Sequence, residues 1–143
     1  MKENKGFTMI ELMVVIAIIA VLTALAIPAY MKFAAKTRRS EVKYNLEGIY
    51  KAEVSWYAEH AAFDNSFEVI RWNPEGMCAY SYSVGMEVLG KNPPDNRPVG
   101  APGASSTGFA AYGWGNLDDD PAVDVWHIDE QNNLVNDVDD LKS

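Results

Sequence analysis

The sequence predicts an α+β fold, with one long N-terminal α-helix packed on a small antiparallel β-sheet. Three observations carry that expectation. Residues 7–63 contain one glycine, Gly48, and one proline, Pro28, whereas residues 64–143 contain eight glycines and six prolines. These two residue types punctuate local structure most strongly, so the first half reads as helix and the second as strands and turns. Twenty consecutive residues, Leu12 to Met31, carry no charge. The second half, finally, holds short alternating segments separated by turn signals.

A helix over residues 7–63 would be about 85 Å long at 1.5 Å per residue. A head made of residues 64–143 cannot bury such a length, so much of it must lie in something else. The run LMVVIAIIAVLTALAIPAYM matches a bilayer core of roughly 30 Å. A secretory signal peptide fits poorly. Glu11 stands just before the run, and KFAAKTRRSEVK after it continues as helix, with no small-residue cleavage site. From about Lys32 to Ala62 the pattern turns amphipathic. Val42, Leu46, Ile49 and Trp56 share one face, while Lys36, Arg39, Lys43 and Glu47 fall largely elsewhere.

That apolar face is expected to cover the sheet. Strands are expected at Met77–Val84, with Cys78, Tyr80, Tyr82 and Val84 on one side, and at Gly108–Trp114 and Val123–Ile128. Asn73-Pro74-Glu75-Gly76 and Asp118 to Pro121 are turn signals, and residues 91–107 form a Pro/Gly/Ser-rich loop without a period. A helix over one face of an antiparallel sheet is an α+β arrangement.

Composition narrows the function. The 143 residues suit one domain, and 12 Lys+Arg against 20 Asp+Glu give a net charge of −8. That balance argues against a nucleic-acid binder, whose affinity comes mainly from neutralising phosphates. A single cysteine, Cys78, excludes an internal disulfide and any cysteine-built metal site, and reads as a small buried hydrophobe. His60 and His127 have no triad around them in sequence, and Ser105-Ser106 has no general base nearby. No catalytic residue, metal or cofactor is therefore assigned. Asp118-Asp119-Asp120-Pro121 with Asp124 offers oxygens of the kind calcium takes. It lacks the central glycine and final glutamate of an EF-hand loop and reads as a solvated turn. Tyr30, Phe33, Tyr44, Tyr50, Trp56 and Tyr57 recur at helical spacing and read as packing.

Gly6-Phe7-Thr8-Met9-Ile10-Glu11, followed by the apolar run, closely resembles the prepilin signature of type IV pilins. The short basic leader, Pro28 within the run, and the helix-then-sheet order extend the resemblance. It implies that a membrane peptidase cuts after Gly6 and that the new terminal Phe7 is N-methylated. A glycine at the cut has no side chain to clash with a protease site. The resemblance further implies that Glu11 pairs with the terminal amine of Phe7 on a neighbouring subunit. A carboxylate at the edge of hydrocarbon costs on the order of several kcal/mol unless paired. Thr8-x-x-Glu11 is also a capping-box pattern, and the two roles are compatible.

Pro28 removes a helix hydrogen bond and should bend or open the helix. Related filaments often lose helix up to this proline from a glycine, where this chain has Ala20. Lys32, Lys36, Arg38, Arg39 and Lys43 form a basic collar. Counted by the positive-inside rule they would place the carboxyl side in the cytoplasm; the resemblance places the head outside. In a filament the collar is expected to face acidic residues of neighbouring heads, among them Asp118, Asp119, Asp120, Asp124, Asp129, Glu130, Asp137, Asp139 and Asp140.

The organisation that follows is a leader at 1–6, a transmembrane and filament-core helix at 7–31, an amphipathic half at 32–63, and a head at 64–143 with the loop 91–107. The Trp-Asn-Pro-Glu-Gly turn before Tyr-x-Tyr, and the late Asp-Val-Trp-x-Ile-Asp, look similar to pilins of gliding and predatory delta-type bacteria. The resemblance implies a subunit held in the inner membrane and polymerised with copies of itself into a surface filament for adhesion and motility. Its partners would be the prepilin peptidase and N-methyltransferase, the assembly machinery and minor pilins, with no nucleic acid. A pseudopilin of type II secretion is the alternative within the fold, although the Leu-Pro-x-Asp-Pro-Trp-Gly segment usual there is missing. An anchored domain that never polymerises is the alternative of another class.

Overall fold

The computed structural model describes residues 6–76, 78–91, 103–117 and 121–142. The chain forms two compact units, Met1–Ala34 and Ala35–Ser143. The 52-residue helix α1, Met9–His60, contributes to both. It is followed by strands β1 (Ser81–Val84), β2 (Glu87–Gly90), β3 (Ala110–Gly115), β4 (Asp124–Asp129) and β5 (Leu134–Val138), and by a 3₁₀ turn at Asp140–Lys142.

In the first unit no residue from Gly6 to Phe33 is buried by the chain itself. A helix rich in Val and Ile is sustainable there because it satisfies its backbone polar groups internally, as hydrocarbon requires. Pro28 lies inside α1, and helix is retained from Ala20 through Pro28. Upstream, the Thr23 hydroxyl donates to the Ile19 carbonyl at 2.7 Å.

In the second unit the strands form one antiparallel sheet in the order β2-β1-β3-β4-β5. Register places Tyr82, Gly113 and Trp126 side by side, with Val84, Ala111 and Ile128 as the next row on that face. Against it α1 lays Val42, Leu46 and Ile49, all fully buried, with Trp56 partly buried, as their spacing predicts. Each such aliphatic side chain contributes roughly 1.5–3 kcal/mol by leaving water. The approach is close at Gly113, where a Cβ would lie 2.5 Å from Val42 Cγ2. A glycine between two large rings leaves the slot that Val42 fills.

Two strands escape the sequence reading. β2 is four residues long and is joined to β1 by the two-residue turn Gly85-Met86, with Gly85 at φ 71°. Positive φ at the first turn position is a hairpin signature that glycine supplies. β5 lies in the acidic tail, where Asn and Asp conceal a strand pattern. Its hairpin with β4 is set by Asp129, whose carboxylate accepts from the Gln131 and Asn133 amides at 3.0 and 2.9 Å.

The expected strand at Met77–Val84 begins only at Ser81, and Met77 lies outside the described residues. Both faces of β1 are buried, since Ser81 and Ser83 are as inaccessible as Tyr82 and Val84, with Trp114 buried in register beside Ser81. Cys78, expected to be buried, is half-buried at φ 53°. The helix, expected to run to about Ala62, ends at His60 because Ala61 adopts the left-handed conformation, φ 55°.

The polar centre of this unit is Asp124, a fully buried carboxylate. Its Oδ1 accepts from Arg39 Nη2 at 2.7 Å, and more loosely from Asn136 Nδ2 and the Asp140 amide at 3.3 Å each. Its Oδ2 accepts from the Tyr80 hydroxyl at 2.7 Å and Trp126 Nε1 at 2.6 Å. Arg39 also pairs with Asp139. Burial, together with the hydrogen bond to Asp124, pushes the Tyr80 phenol well above its ordinary range. Removing one partner of a buried ion pair leaves an uncompensated charge. Asp124→Ala leaves Arg39 with Asp139 as its remaining carboxylate and leaves the Tyr80 hydroxyl and Trp126 Nε1 buried without their acceptor. It is expected to cost about 3–5 kcal/mol, read as a fall in the thermal midpoint of the near-ultraviolet circular dichroism of the full chain in detergent.

A second buried carboxyl behaves differently. Glu53, fully buried on α1, accepts from the Asp64 amide at 3.2 Å through Oε2, while Oε1 has no hydrogen-bond partner among the described residues. Burial raises it from the ordinary 4.5 to about 7, with the nearby Asp64 charge adding to the rise. The folded chain therefore favours the neutral acid. Its stabilising contribution is complete below pH 4.5, declines as pH rises from there, and is lost above about 7. Glu53→Gln keeps the acceptor and removes the proton, so its thermal midpoint should change less than that of the native chain between pH 4.5 and 7.5.

Candidate functional site

The chain's chemistry of interest begins at Gly6 and Phe7. Both are exposed, Phe7 at 78 %, and nothing lies within 4 Å of a Cβ placed on Gly6. The junction between them is open to an approaching group on every described side.

Thr8 and Glu11 form the reciprocal cap their spacing predicts. The Thr8 amide donates to Glu11 Oε2 at 2.8 Å and its hydroxyl donates to the same oxygen at 2.6 Å. In return the Glu11 amide lies 3.3 Å from Thr8 Oγ1. The Leu12 amide then donates to the Thr8 carbonyl at 3.2 Å, starting the helical ladder. Such a box satisfies amides that have no partner in the first turn. It engages one carboxylate oxygen; Oε1 makes no hydrogen bond among the described residues. Phe7, Ile10, Glu11, Val14 and Val15 line an open hollow of about 330 Å³, in which Glu11 is the ionisable group among the described residues.

Beyond this lies the uncharged run, with Val14, Ile18, Leu22 and Leu25 each more than half exposed. Lys32 and Lys36 are exposed on α1. Arg38 and Arg39, expected to serve contacts between subunits, are engaged within their own chain. Arg38 Nη1 donates to the Leu117 carbonyl at 3.1 Å, and Arg39 joins the Asp124 and Asp139 carboxylates. The acidic tail supplies those partners, so its charge is partly spent inside the fold. Asp140 too is buried and accepts from the Leu117 amide at 2.9 Å. Asp118, Asp119 and Asp120, the centre of the calcium pattern, lie outside the described residues, as do residues 1–5 of the leader and most of the 91–107 loop. Asp124, the remaining member of that pattern, is committed to Arg39.

The histidines take local partners. His60 stacks on Trp56, ring centres 3.5 Å apart, and His127 Nδ1 lies 2.6 Å from Asp137 while its ring lies against Tyr112. Ser105 Oγ donates to the Gly108 carbonyl and closes a turn. Tyr50 and Trp56 pack against the core, whereas Tyr30, Phe33 and Tyr44 are exposed. Sequence reasoning missed two buried polar residues of α1, Asn45 and Glu53. A helical spacing of three from Val42 and four from Ile49 was the signal that placed them on the inward face.

A helix headed by this cap, carrying an exposed apolar run and packed on a five-stranded antiparallel sheet, defines an α+β pilin fold. Residues 1–27 match the prokaryotic N-terminal methylation motif. The chain is 43 % identical over 82 residues to the type IV major pilin protein PilA of Myxococcus xanthus, covering 57 % of this chain and 37 % of that protein. It is 55 % identical over 54 residues to the fimbrial protein EcpC of Eikenella corrodens, 38 % of this chain and 35 % of that one. With the type IV major pilin protein PilE1 of Neisseria gonorrhoeae it shares 39 % identity over 76 residues, 53 % of this chain and 33 % of that one. The chain thus matches these curated relatives over little more than a third of their length.

The cap is directly testable. Thr8→Val removes the hydroxyl that bonds Glu11 on both sides, at a cost of about 0.5–2 kcal/mol to the first turn. Amide hydrogen exchange at Glu11 in detergent micelles should be correspondingly faster, with exchange near Leu46 unchanged.

Proposed function

We propose that this chain is the structural subunit of a type IV pilus. It waits in the inner membrane as a single-pass precursor, is cut after Gly6 by a prepilin peptidase, is N-methylated at Phe7, and polymerises with copies of itself through α1. The surface filament serves adhesion and motility, and the assembly machinery and minor pilins act with it. The observation that carries this reading is the conjunction of the methylation motif with an uncharged, wholly unburied run directly behind Glu11. A helix so apolar needs lipid or protein around it, and moving from one to the other requires no covalent bond.

The capping geometry supports a division of labour at Glu11. Oε2 stays with Thr8 and reduces the cost of holding a carboxylate at the edge of hydrocarbon, while Oε1 is left for the Phe7 amine of a neighbour. Pro28, with no amide hydrogen, leaves one carbonyl of the preceding turn without its usual donor and marks where α1 is weakest to opening during assembly. Lys32 and Lys36 are the collar residues suited to contacts between subunits, since Arg38 and Arg39 are engaged at home.

The decisive measurement is the mass of the amino-terminal peptide in sheared surface material and in membranes. A dominant surface peptide beginning at methylated Phe7 is expected. The same peptide confined to membranes would favour a pseudopilin, and an intact Met1 in cells with an active peptidase would sink the proposal. Glu11→Ala should be inserted and cut normally yet yield little filament, whereas a mere anchor would be indifferent to the change.

A further inference from the structure

The second unit carries a groove that the pilus reading leaves unused. One wall is α1, with Tyr44, Gly48 and Lys51; the other is the segment after it, with Arg71, Trp72 and Glu75, and the enclosed volume is about 390 Å³. The walls are held rigidly. Asn45, buried between them, donates to the Glu75 carbonyl at 2.8 Å and accepts from the Glu75 amide at 2.9 Å, a two-point bond that pins the segment to the helix. Trp72 stands edge-on to Tyr82 and tilted against Phe67, and a Cβ on Gly48 would meet its Nε1 at 2.9 Å. The absence of a side chain at Gly48 is therefore what lets the indole lie against the helix.

Two cations and one carboxylate line this preformed groove, and the carboxylate, Glu75, is taken up by the Tyr44 hydroxyl at 3.1 Å. Lys51 and Arg71 are both exposed, and neither makes an ion pair among the described residues, in contrast to Arg39. Arg71 is also held at φ 56°, a left-handed conformation that residues other than glycine seldom adopt. Two cations without an ion pair among the described residues stand in a chain whose net charge is −8, so the acidic patches of another copy are locally complementary to them.

We propose that this groove receives an acidic segment of a second copy of the chain, an inference that rests on the pilus-subunit reading. A filament needs contacts in which two different patches of the same surface meet, so that each copy can bind the next. The sheet order supplies that difference. The groove borders β1 through Trp72 and Tyr82, while the β4–β5 hairpin, with exposed Glu130 and with Asp137 beside His127, forms the far edge. The carboxylates of that hairpin are the segment this geometry favours, with Lys51 and Arg71 setting orientation and the Trp72 ring giving them a fixed wall.

The test is zero-length carbodiimide coupling of sheared filaments, followed by mass analysis of covalent dimers. Dimers in which Lys51 is joined to an Asp or Glu of another copy are expected. The double variant Lys51→Glu/Arg71→Glu should retain its thermal midpoint, since both side chains are exposed, and be cut normally. Its filament yield should fall roughly tenfold, with the loss of the Lys51-linked dimer. Native filaments whose dimers never contain Lys51, together with a double variant that assembles at native yield, would overturn the inference and leave the groove to another anionic ligand. Absence of native filaments would instead remove the pilus reading itself.

Discussion

A buried negative charge organises the second unit. Asp124 has left water completely, which is sustainable only because donors converge on both its oxygens. Those donors come from α1, from the residue before β1, from β4, from β5 and from the chain end, so one carboxylate ties together segments far apart in sequence. Arg39 is the contribution of the helix. Its Nη2 carries two hydrogens and addresses Asp124 and Asp139 at once. Apolar contacts alone would let α1 slide on the sheet. The ion pair at Arg39, the Val42 slot over Gly113 and the Asn45 bond to Glu75 each specify a position along the helix, and together they fix its register.

The two units obey opposite rules. In the second, the chain buries its own apolar surface and spends its charges internally. In the first, the chain buries nothing between Gly6 and Phe33 and satisfies only its backbone, through the helix ladder and the Thr8–Glu11 cap. A segment like that of the first unit is unstable in water alone. Its composition is meaningful only with a lipid or a protein neighbour, which is why the methylation motif and the exposed run point to the same proposed role.

The same contrast reassigns the basic collar. Read along the sequence, Lys32, Lys36, Arg38 and Arg39 form one patch. In the fold the arginines turn to Leu117, Asp124 and Asp139, while the lysines remain exposed. The collar therefore offers a partner fewer charges than the count suggests, and Lys51 and Arg71 stand apart from it at a groove that no motif announces.

The sequence by itself determined the helix, its cap and its apolar run, because these depend on local spacing. Thr8 and Glu11 are three apart, Val42, Leu46 and Ile49 repeat with the helical period, and twenty uncharged residues need no tertiary context to be recognised. It also showed β1, β3 and β4, three of the five strands of the sheet. The strands β2 and β5 were illegible because Glu87-Val88-Leu89-Gly90 shows no alternation and the other is written in Asn and Asp, whose strand conformation is imposed by neighbours. The roles of Asp124, Arg39, Glu53 and Asn45 were decided by the tertiary structure alone. Whether a charge is solvated, paired or buried depends on which distant residues the fold brings within hydrogen-bond reach, and residues 85 and 100 positions apart carry no mark of that meeting in the chain.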